Sequence, residues 1–596
     1  MNTRFGSRVY LFIVLSLFSS LSFSQTFLNL GFERSFNNKP TGWYVMGQGY
    51  DTKLDSLIVH SGKSSLKLHY ETGSGSAVAS QMFPLEMARG KKVRFSGFIK
   101  TDSVSRGFAG LWWRVDGKNK ILAFGNMQDG GAKGTTPWKR YEIDLPVDSA
   151  AININFGVLF PGDGTAWFDD LHIEFDGQPF VDTLIAVSIT PEQSMWIRSH
   201  SLQLITPKAS SGFDDLRGLK NMIGDARIVA LGEATHGTKE FFQIKHRIIE
   251  YLASEMGFTL FAIEANMPEA YRINDYVLGG NADPKELLKG MYFWTWNTQE
   301  VLDMIEWMRA FNQSGKGRIQ FLGFDMQTPD VALKIVSDFV RSADPGYSNV
   351  LDSLKNAVDS INHVVRRGQR PDSSMQSILR VCDDVVDHLT KSRLTYDTRS
   401  SSIGVDWAIQ NARVLAQAMK LTFNRNSPSG MMIRDSSMAA NVAWILDQAS
   451  ADSRIVLWAH NGHITKRKGL MGSYLIERYG AKYLAVGQTC YAGRYTAVVQ
   501  GKGLKSDNLI APPMLGSLED FCHSTGFPMF VLDVRNPGAG GKGSAWLTRP
   551  MLMRSIGALA MDNQQFEVRV PEDFDLVIYF ENTEASKCFG LTYSTK

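Results

Sequence analysis

The chain has 596 residues, of which 44% are hydrophobic and 21% are charged, with 63 Lys and Arg against 60 Asp and Glu. This content excludes a disordered chain, because it supplies enough apolar surface to offset the entropy lost on folding, and the length predicts roughly two to four domains. A net charge of +3 offers no concentrated basic face, so we expect no nucleic acid partner.

The N-terminus has the pattern of a secretory signal. Arg4 and Arg8 precede an apolar run over residues 9–21, which is followed by the segment Ser-Phe-Ser. The run is too short to cross a bilayer, which needs about 20 apolar residues. We therefore predict a signal peptide over residues 1–24, Gln25 as the first mature residue, no membrane span and an exported protein, either periplasmic or secreted.

The cysteines are few and irregularly spaced. The chain contains four of them, too few for a scaffold built on disulfides, and their spacing matches no zinc-binding or CxxC pattern: Cys382, Cys490, Cys522 and Cys588. Export would allow them to pair, and the sequence leaves that pairing undetermined.

Residues 26–176 have the period-two pattern of β-strands. Apolar and polar residues alternate in KKVRFSGFIK and AININFGVLF, and turns rich in Gly, Asp and Asn separate such segments. Alternation of this kind places one face of each strand in a core. We predict an all-β sandwich over these residues, followed by a linker over 177–193.

Four motifs of this region resemble the galactose-binding-like jelly rolls of carbohydrate-binding modules: NLGFE, PTGW, HSGKSSLKL and GTAWFDDLHIE. The resemblance implies a jelly-roll sandwich with a carbohydrate ligand. Five tryptophans are candidates for stacking on sugar rings: Trp43, Trp112, Trp113, Trp138 and Trp167. The alternative is that most of them fill the core, as large aromatic side chains commonly do. Adjacent Trp112 and Trp113 must face opposite sides of a strand.

The periodicity changes in residues 194–596. Short runs rich in Val, Ile and Phe alternate with amphipathic segments of helical spacing, such as residues 241–256. This pattern predicts an α/β domain with a largely parallel sheet flanked by helices. Between about 330 and 450 the pattern is mainly helical, which predicts a helical insertion or a helical layer over the sheet.

Ionisable residues follow four predicted strands of this domain: Glu233 and His236, Glu264, Asp325, and His460 and His463. In an open parallel sheet, ligands bind beyond the carboxyl ends of the strands, so these positions predict a site. Each also has a structural alternative: His236 bonded within a turn, Glu264 paired with Arg247 or Arg272, Asp325 capping a helix, and His463 starting one.

Several common catalytic motifs do not occur in the sequence. It has no GxSxG nucleophile elbow, no HExxH, no GxxxxGK[ST] and no GxGxxG after a strand. Two kinds of chemistry then suit the His and acid residues. One is water activated by a histidine base whose tautomer is fixed by a carboxylate. The other is water activated by a metal ion that His and carboxylate side chains hold.

Six motifs in order identify a family resemblance: GEATHGTKEFFQIKHR, AIEAN, WTWNTQEVLDMIEWMRAFN, GFDMQ, RDSSMAANV and WAHNGHI. Together they resemble the erythromycin esterase family, including its succinoglycan-biosynthesis-like relatives, over about residues 194–596. The resemblance implies an α/β core with helical additions and ester hydrolysis that needs no metal, so we expect no cofactor.

The resemblance also implies roles for particular residues. His236 corresponds to the catalytic base, and the other catalytic candidates are Glu233, Glu264, His460, His463 and Lys245. Some family members have Arg at the position of Lys245, and Lys keeps the charge but loses the two-pronged donor geometry. The same motifs contain the candidate substrate-binding residues Trp294, Trp296, Asp325 and Arg434.

These features together predict an exported hydrolase of a carboxylic ester or lactone. The expected substrate is an acylated glycan or a macrolide-like glycoside, and the latter would make antibiotic resistance its role. Two alternatives remain open. One is a metal-dependent hydrolase or peptidase that uses the same His and Glu cluster to hold a divalent metal. The other is a non-catalytic glycan-binding protein in which the N-terminal domain does the binding.

Overall fold

The computed structural model describes residues 28–590 apart from 37, 119, 181–188, 368, 398–401, 426, 538–542 and 562. The predicted signal peptide and part of the predicted linker therefore lie outside the described residues. No helix in the described part of the chain combines the length and the apolar character needed to cross a membrane.

The N-terminal region consists of β-strands and one short helix. Its strands are β1 (Ser35–Phe36), β2 (Lys39–Pro40), β3 (Tyr44–Gly47), β4 (Tyr50–Asp55), β5 (Ser65–Tyr70), β6 (Ala77–Met82), β7 (Lys92–Asp116), β8 (Ile121–Gly125), β9 (Ala132–Pro146), β10 (Asn153–Phe160), β11 (Thr165–Phe175) and β12 (Gln178–Pro179), with helix α1 (Leu85–Ala88) after β6. Apart from the β1–β2 hairpin, they form one ten-stranded antiparallel sheet in which the order of the main strands is β3-β6-β10-β7-β11-β5-β4.

The predicted jelly-roll sandwich is wrong for this region. Strand β7 is 25 residues long, and its first half pairs with β11 while its second half pairs with β10. One strand thus joins what would otherwise be two sheets. The two ends of the strand order, β3 and β4, contact each other, so the sheet is nearly closed into a barrel. The alternation in the sequence identified the strands but not their partners, because pairing depends on residues far apart in the chain.

The tryptophans of the sheet occupy different environments. Trp43 and Trp113 lie in the main core, whereas Trp112 packs in a separate small cluster with Val78, Phe108 and Leu159. The adjacent pair therefore faces opposite sides of β7, as the geometry of a strand requires. Trp167 is also buried, and Trp138 is half-buried.

The strands of the C-terminal region are β13 (Ser201–Gln203), β14 (Ile228–Leu231), β15 (Leu260–Asn266), β16 (Gln320–Asp325), β17 (Ile455–Trp458), β18 (Tyr483–Val499), β19 (Gly503–Leu509), β20 (Met529–Asp533), β21 (Met551–Arg554), β22 (Gln565–Val568) and β23 (Leu576–Thr583). All but β21 and β22, which form a hairpin of their own, belong to a nine-stranded sheet. Its main order is β13-β20-β23-β18-β14-β17-β15-β16, with β19 beside β18.

The prediction of a largely parallel sheet is wrong, because this sheet is mixed. Strands β16, β15, β17, β14, β18 and β23 are parallel. Strand β20 pairs antiparallel with β23, β13 with β20, and β19 with β18. The buried strands are apolar on both faces, so their composition does not reveal the direction of their neighbours.

The helices of this region are α2 (Pro191–Ser199), α3 (Leu219–Ile223), α4 (Lys239–Met256), α5 (Met267–Val277), α6 (Pro284–Lys289), α7 (Gln299–Gln313), α8 (Asp330–Ala343), α9 (Ser348–Arg366), α10 (Ser377–Lys391), α11 (Arg393–Asp397), α12 (Ser402–Asn424), α13 (Pro428–Gln448), α14 (Asn461–Ile464), α15 (Met471–Tyr479), α16 (Leu518–His523) and α17 (Val570–Asp573). Helices α8 to α13 follow one another between β16 and β17.

Helices cover both faces of the mixed sheet. Ile228 and Ala230 of β14 belong to a buried cluster with helices α8 to α13, whereas Val229 and Leu231 belong to a second cluster with α4, α5 and α7. Successive residues of one strand thus enter different cores, which explains the continuous apolar runs in the sequence. The four cysteines are buried within this region.

Candidate active site

The site lies where four neighbouring parallel strands end. In the order β14-β17-β15-β16, the strands present Glu233 after β14, His460 after β17, Glu264 near the end of β15 and Asp325 at the end of β16. Parallel direction brings their carboxyl ends to one edge of the sheet, where ligands bind in folds of this kind. Residues separated by more than 200 positions in the chain therefore meet at this edge.

The first part of the site is the Glu233 cluster, which comprises Glu233, His236, Lys245 and Trp458. Glu233 has no exposed surface. One carboxylate oxygen accepts from His236 Nδ1 at 2.7 Å, and the other accepts from Lys245 Nζ at 2.7 Å and from Trp458 Nε1 at 2.8 Å. Because an ionised carboxylate only accepts, the proton of neutral His236 is on Nδ1, and Nε2 is free to act as a base.

The loop that carries His236 is held rigidly. The His236 amide donates to Gly557 O at 3.3 Å, and the Thr496 amide of β18 donates to Gly237 O at 2.9 Å. A Cβ atom at Gly237 would lie 1.9 Å from Thr496 O, so only glycine allows this close approach. The turn expected from the sequence is therefore held by the close packing of Gly237 against Thr496, and this packing fixes the position of His236.

Lys245 projects from α4 into the interior behind Glu233. Its side chain has no exposed surface, and Nζ lies 4.5 Å from the ring centroid of Trp458 in addition to its bond to Glu233. Burial lowers the pKa of Lys245 to about 8 against the opposing effect of Glu233. In this arrangement Lys245 compensates the charge of Glu233 and orients its carboxylate.

His460 lies beside His236, with 5.1 Å between the ring centroids. Its Nδ1 accepts from the Gly462 amide at 3.1 Å, so Nε2 carries the proton of the neutral ring and faces Ala234 O at 3.4 Å. Burial, aided by the nearby His236, lowers the pKa of His460 to about 3. His460 is therefore a neutral hydrogen-bond donor next to the candidate base.

The second part of the site is the Glu264 cluster, which comprises Glu264, Asp325, Arg434, Asp435 and His463. Arg434 Nη2 donates to Glu264 Oε1 at 2.6 Å and to Asp325 Oδ2 at 2.7 Å, and the His460 amide donates to Glu264 Oε2 at 2.8 Å. Burial would raise the pKa of Glu264, but His463 and Arg434 hold it well below its usual range. Glu264 is thus a fixed negative charge paired with Arg434, and not with Arg247 or Arg272.

His463 lies between two acids. Its Nδ1 is 2.9 Å from Asp435 Oδ1, and its Nε2 is 3.3 Å from Glu264 Oε1. Burial lowers the pKa of His463, but Asp435 and Glu264 more than offset this effect and raise it to about 10. This pKa favours the cation at neutral pH, whereas Arg434 Nη1, 2.9 Å from Nε2, favours the neutral ring.

The four candidate substrate-binding residues differ in what they contact. Asp325 is fully buried, and its oxygens accept from the Met326 amide and Gln327 Nε2 as well as from Arg434. Trp296 is buried, donates from Nε1 to Glu264 O at 3.1 Å and packs edge-on against His236. Trp294 is half-buried. Substrate contact by these residues stays a prediction.

Sequence reasoning missed two members of the site. Asp435 follows Arg434 directly in the chain, and Trp458 precedes the segment AHNGH. Both stand inside motifs of the family resemblance, and that resemblance is the signal by which they could be found. The contacts that make them important, to His463 and to Glu233, are visible only in the tertiary structure.

The arrangement of the acids bears on the metal alternative. Among the described residues, no group of three or more His, Cys, Asp and Glu side chains is arranged to hold a metal ion. Glu233 is bonded to Lys245, and Glu264 and Asp325 are bonded to Arg434. The carboxylates that would serve as metal ligands are thus already paired with cations.

The fold and the site together define a class: a mixed-sheet protein with paired acid and imidazole groups at the carboxyl edge of its parallel strands. The comparisons with known proteins are more specific. The family model described as erythromycin esterase matches residues 253–583, more than half of the chain. The chain therefore belongs to the erythromycin esterase family, which makes it a hydrolase of ester type at the family level.

Individual relatives agree with this assignment. An erythromycin esterase type II of Escherichia coli is 26% identical over 57% of this chain and 88% of its own length. A solved structure described as a succinoglycan biosynthesis protein is 26% identical and covers 67% of this chain and 99% of its own, with a TM-score of 0.58.

Proposed function

We propose that the protein hydrolyses a carboxylic ester or lactone with a water molecule activated by His236. The observation that carries this proposal is the bond between His236 Nδ1 and Glu233, which leaves Nε2 as an unprotonated base. Glu233 is in turn oriented by Lys245 and Trp458. A histidine held by a buried carboxylate is the arrangement that activates the nucleophile in hydrolase triads.

Each remaining group has a role in this reaction. His236 Nε2 takes a proton from water as its oxygen attacks the ester carbonyl, and Glu233 stabilises the resulting imidazolium. The neutral Nε2–H of His460 donates to the oxyanion, because its bond to Ala234 O is long and easily exchanged. His463 protonates the leaving alkoxide. Lys245 acts through Glu233 and does not touch the substrate.

The test is an ester panel with the wild type and His236→Asn side by side, using acetylated sugars, feruloyl esters and macrolides. Loss of the base should lower kcat by about 10³-fold or more on any ester that the wild type cleaves. His246→Asn is the matched control, because His246 is buried in the same domain, on α4 against Trp307. It should keep the kcat of the wild type, and a His236→Asn protein that keeps most of its turnover contradicts the proposal.

The metal-dependent alternative makes a different prediction. Exhaustive chelation should leave the activity of the wild type unchanged if His236 activates water, and it should abolish activity if a metal does. The metal content of the purified protein is measured in parallel, before and after chelation.

We further propose that the substrate is met outside the cytoplasm. The support is the charged and apolar pattern of residues 1–24, and an acylated glycan suits that location better than a drug with a cytoplasmic target. N-terminal sequencing of protein from the periplasmic or secreted fraction should begin at Gln25. An intact N-terminus in a cytoplasmic fraction would contradict export.

For the N-terminal sheet we propose a glycan contact at Trp138. This side chain is half-buried, and beside it His60 stacks on Phe98 with 3.6 Å between ring centroids. A partly exposed aromatic surface of this kind suits a sugar ring. In full-length protein, Trp138→Ala should reduce retention on insoluble polysaccharides without changing kcat on a soluble ester, whereas the buried control Trp112→Phe should change neither. Equal retention of Trp138→Ala and wild type would refute this contact.

A further inference from the structure

The site contains a second pair of an acid and an imidazole. Asp435 Oδ1 lies 2.9 Å from His463 Nδ1, and the corresponding atoms of Glu233 and His236 are 2.7 Å apart. Asp435 is fully buried on α13. A carboxylate that accepts from Nδ1 keeps a proton on that nitrogen in both charge states of the ring. Proton exchange by His463 is therefore confined to Nε2.

The other nitrogen of His463 has a suitable partner in either charge state. Nε2 lies 3.3 Å from Glu264 Oε1 and 2.9 Å from Arg434 Nη1. When the ring is a cation, Nε2–H donates to Glu264. When the ring has lost that proton, Nε2 accepts from Arg434. A group whose protonated and deprotonated forms are both hydrogen-bonded is suited to give up a proton and regain it.

We propose that Asp435 is a positioning residue that makes His463 the general acid of the reaction. This inference rests on the proposed ester hydrolysis. As the tetrahedral intermediate collapses, the bond between the carbonyl carbon and the alcohol oxygen breaks, and its electron pair stays on that oxygen. The oxygen takes the proton of His463 Nε2, which leaves a neutral ring. The proton that His236 took from water passes to solvent, and solvent returns one to His463.

The charges around His463 determine how its protonation responds to a mutation. The charged or titratable side chains that face it or its partners are Asp435 and Arg434 from α13, Glu264 from β15, Asp325 from β16, Lys245 from α4, and His236 and His460 from the loops after β14 and β17. Asp435 and Glu264 favour the cation, whereas burial and Arg434 oppose it. Removal of the Asp435 charge should therefore release the proton of His463 at a lower pH.

A purely structural role of Asp435 has to be distinguished from its proposed effect on the protonation of His463. Asp435 Oδ1 also accepts from the Met471 amide at 2.8 Å, which ties α13 to the start of α15. Asp435→Asn keeps an acceptor oxygen for both bonds but removes the charge. A structural role predicts little change in this variant, and a role through His463 predicts a changed pH profile.

The experiment compares the full-length wild type, Asp435→Asn and Asp215→Asn on ethyl acetate and p-nitrophenyl acetate between pH 6 and 10. Asp215 is the matched control, because its buried carboxylate pairs with Arg247 outside the site. With ethyl acetate at pH 9, Asp435→Asn should lose about tenfold or more in kcat/KM relative to its loss at pH 6. With p-nitrophenyl acetate the change should stay below about threefold, because nitrophenolate leaves without a proton. Asp215→Asn should keep both profiles.

Two outcomes overturn the role of Asp435: a pH profile of Asp435→Asn equal to that of the wild type, or equal losses on both esters at every pH. If the wild type cleaves neither of these small esters, histidine NMR decides about Asp435, and the ester panel decides separately about the proposed hydrolysis. The resonance of His463, assigned by its absence in His463→Gln, should titrate above pH 9 in the wild type and at a clearly lower pH in Asp435→Asn. Identical titrations would also overturn the proposal.

Discussion

The Glu233 cluster and the Glu264 cluster balance their buried carboxylates with cations in different ways. In the Glu233 cluster, one fully buried carboxylate is balanced by a single ammonium group, that of Lys245. In the Glu264 cluster, three acids share one guanidinium and one imidazolium, and Arg434 bridges strands β15 and β16 by bonding Glu264 and Asp325. Both arrangements satisfy the rule that buried charges are paired, but only the first leaves an imidazole nitrogen unprotonated.

This difference indicates that the two clusters have different roles in proton transfer. The Glu233 cluster has few charges and, in the proposed mechanism, keeps His236 ready to take a proton. The Glu264 cluster is densely paired and favours the cationic form of His463, which in the proposed reaction gives up its proton beside the neutral donor His460. The surroundings shift the pKa values of His460 and His463 in opposite directions, a pattern typical of hydrolytic sites. Three variants test whether the clusters divide in this way.

The largest effect is expected for Glu233→Gln. The amide replaces one acceptor oxygen by an NH2 donor and has no charge to stabilise the imidazolium, so kcat should fall by about 10³-fold or more. The measurement is kcat on the best ester of the panel. Glu519→Gln serves as control, since Glu519 is equally buried but bonded to Thr489, Arg554 and Gln565 away from the site. Comparable kcat values for Glu233→Gln and wild type would remove Glu233 from the mechanism.

An intermediate effect, on stability more than on chemistry, is expected for Arg434→Met. Loss of the guanidinium leaves Asp325 buried without a cation and Glu264 with His463 alone, which should lower the free energy of unfolding by about 3–5 kcal/mol. Arg434→Lys should lose less, because it keeps the charge without the forked geometry. Urea unfolding measures both, with Arg341→Met, which removes one half of an exposed pair with Asp352, as a nearly neutral control. Equal stability of Arg434→Met and Arg341→Met would contradict the pairing.

The smallest effect is a pH dependence caused by Lys245. Its pKa is about 8 in the folded protein, below the ordinary value of 10.5 that it regains on unfolding. Between these pKa values the unfolded chain binds a proton that the folded chain has released. The contribution of Lys245 to the free energy of unfolding therefore rises with pH. The unfolding free energy of the wild type minus that of Lys245→Met should therefore increase from pH 8 to pH 10. A constant difference would show that Lys245 keeps its proton in the fold.

More of the candidate site than of the fold could be predicted from the sequence. Glu233, His236, Glu264, Asp325, His460 and His463 were predicted as one group because each follows or ends a strand, and the family resemblance is confirmed by the match over residues 253–583. The architecture was less predictable. The 25-residue strand β7 joins its two halves into one sheet, and β13, β19 and β20 run antiparallel to their neighbours.

What the sequence by itself determined is local: which segments are strands, which faces are apolar and which side chains stand at strand ends. These properties depend on residues a few positions apart, so periodicity and motifs reveal them. The tertiary structure decided the rest: the direction of the edge strands, the near closure of the N-terminal sheet, and the placement of Arg434 and Asp435 from α13 against Glu264 and His463. Those contacts join residues 28 to 170 positions apart. They arise from packing and charge pairing across the folded chain, which no local pattern contains.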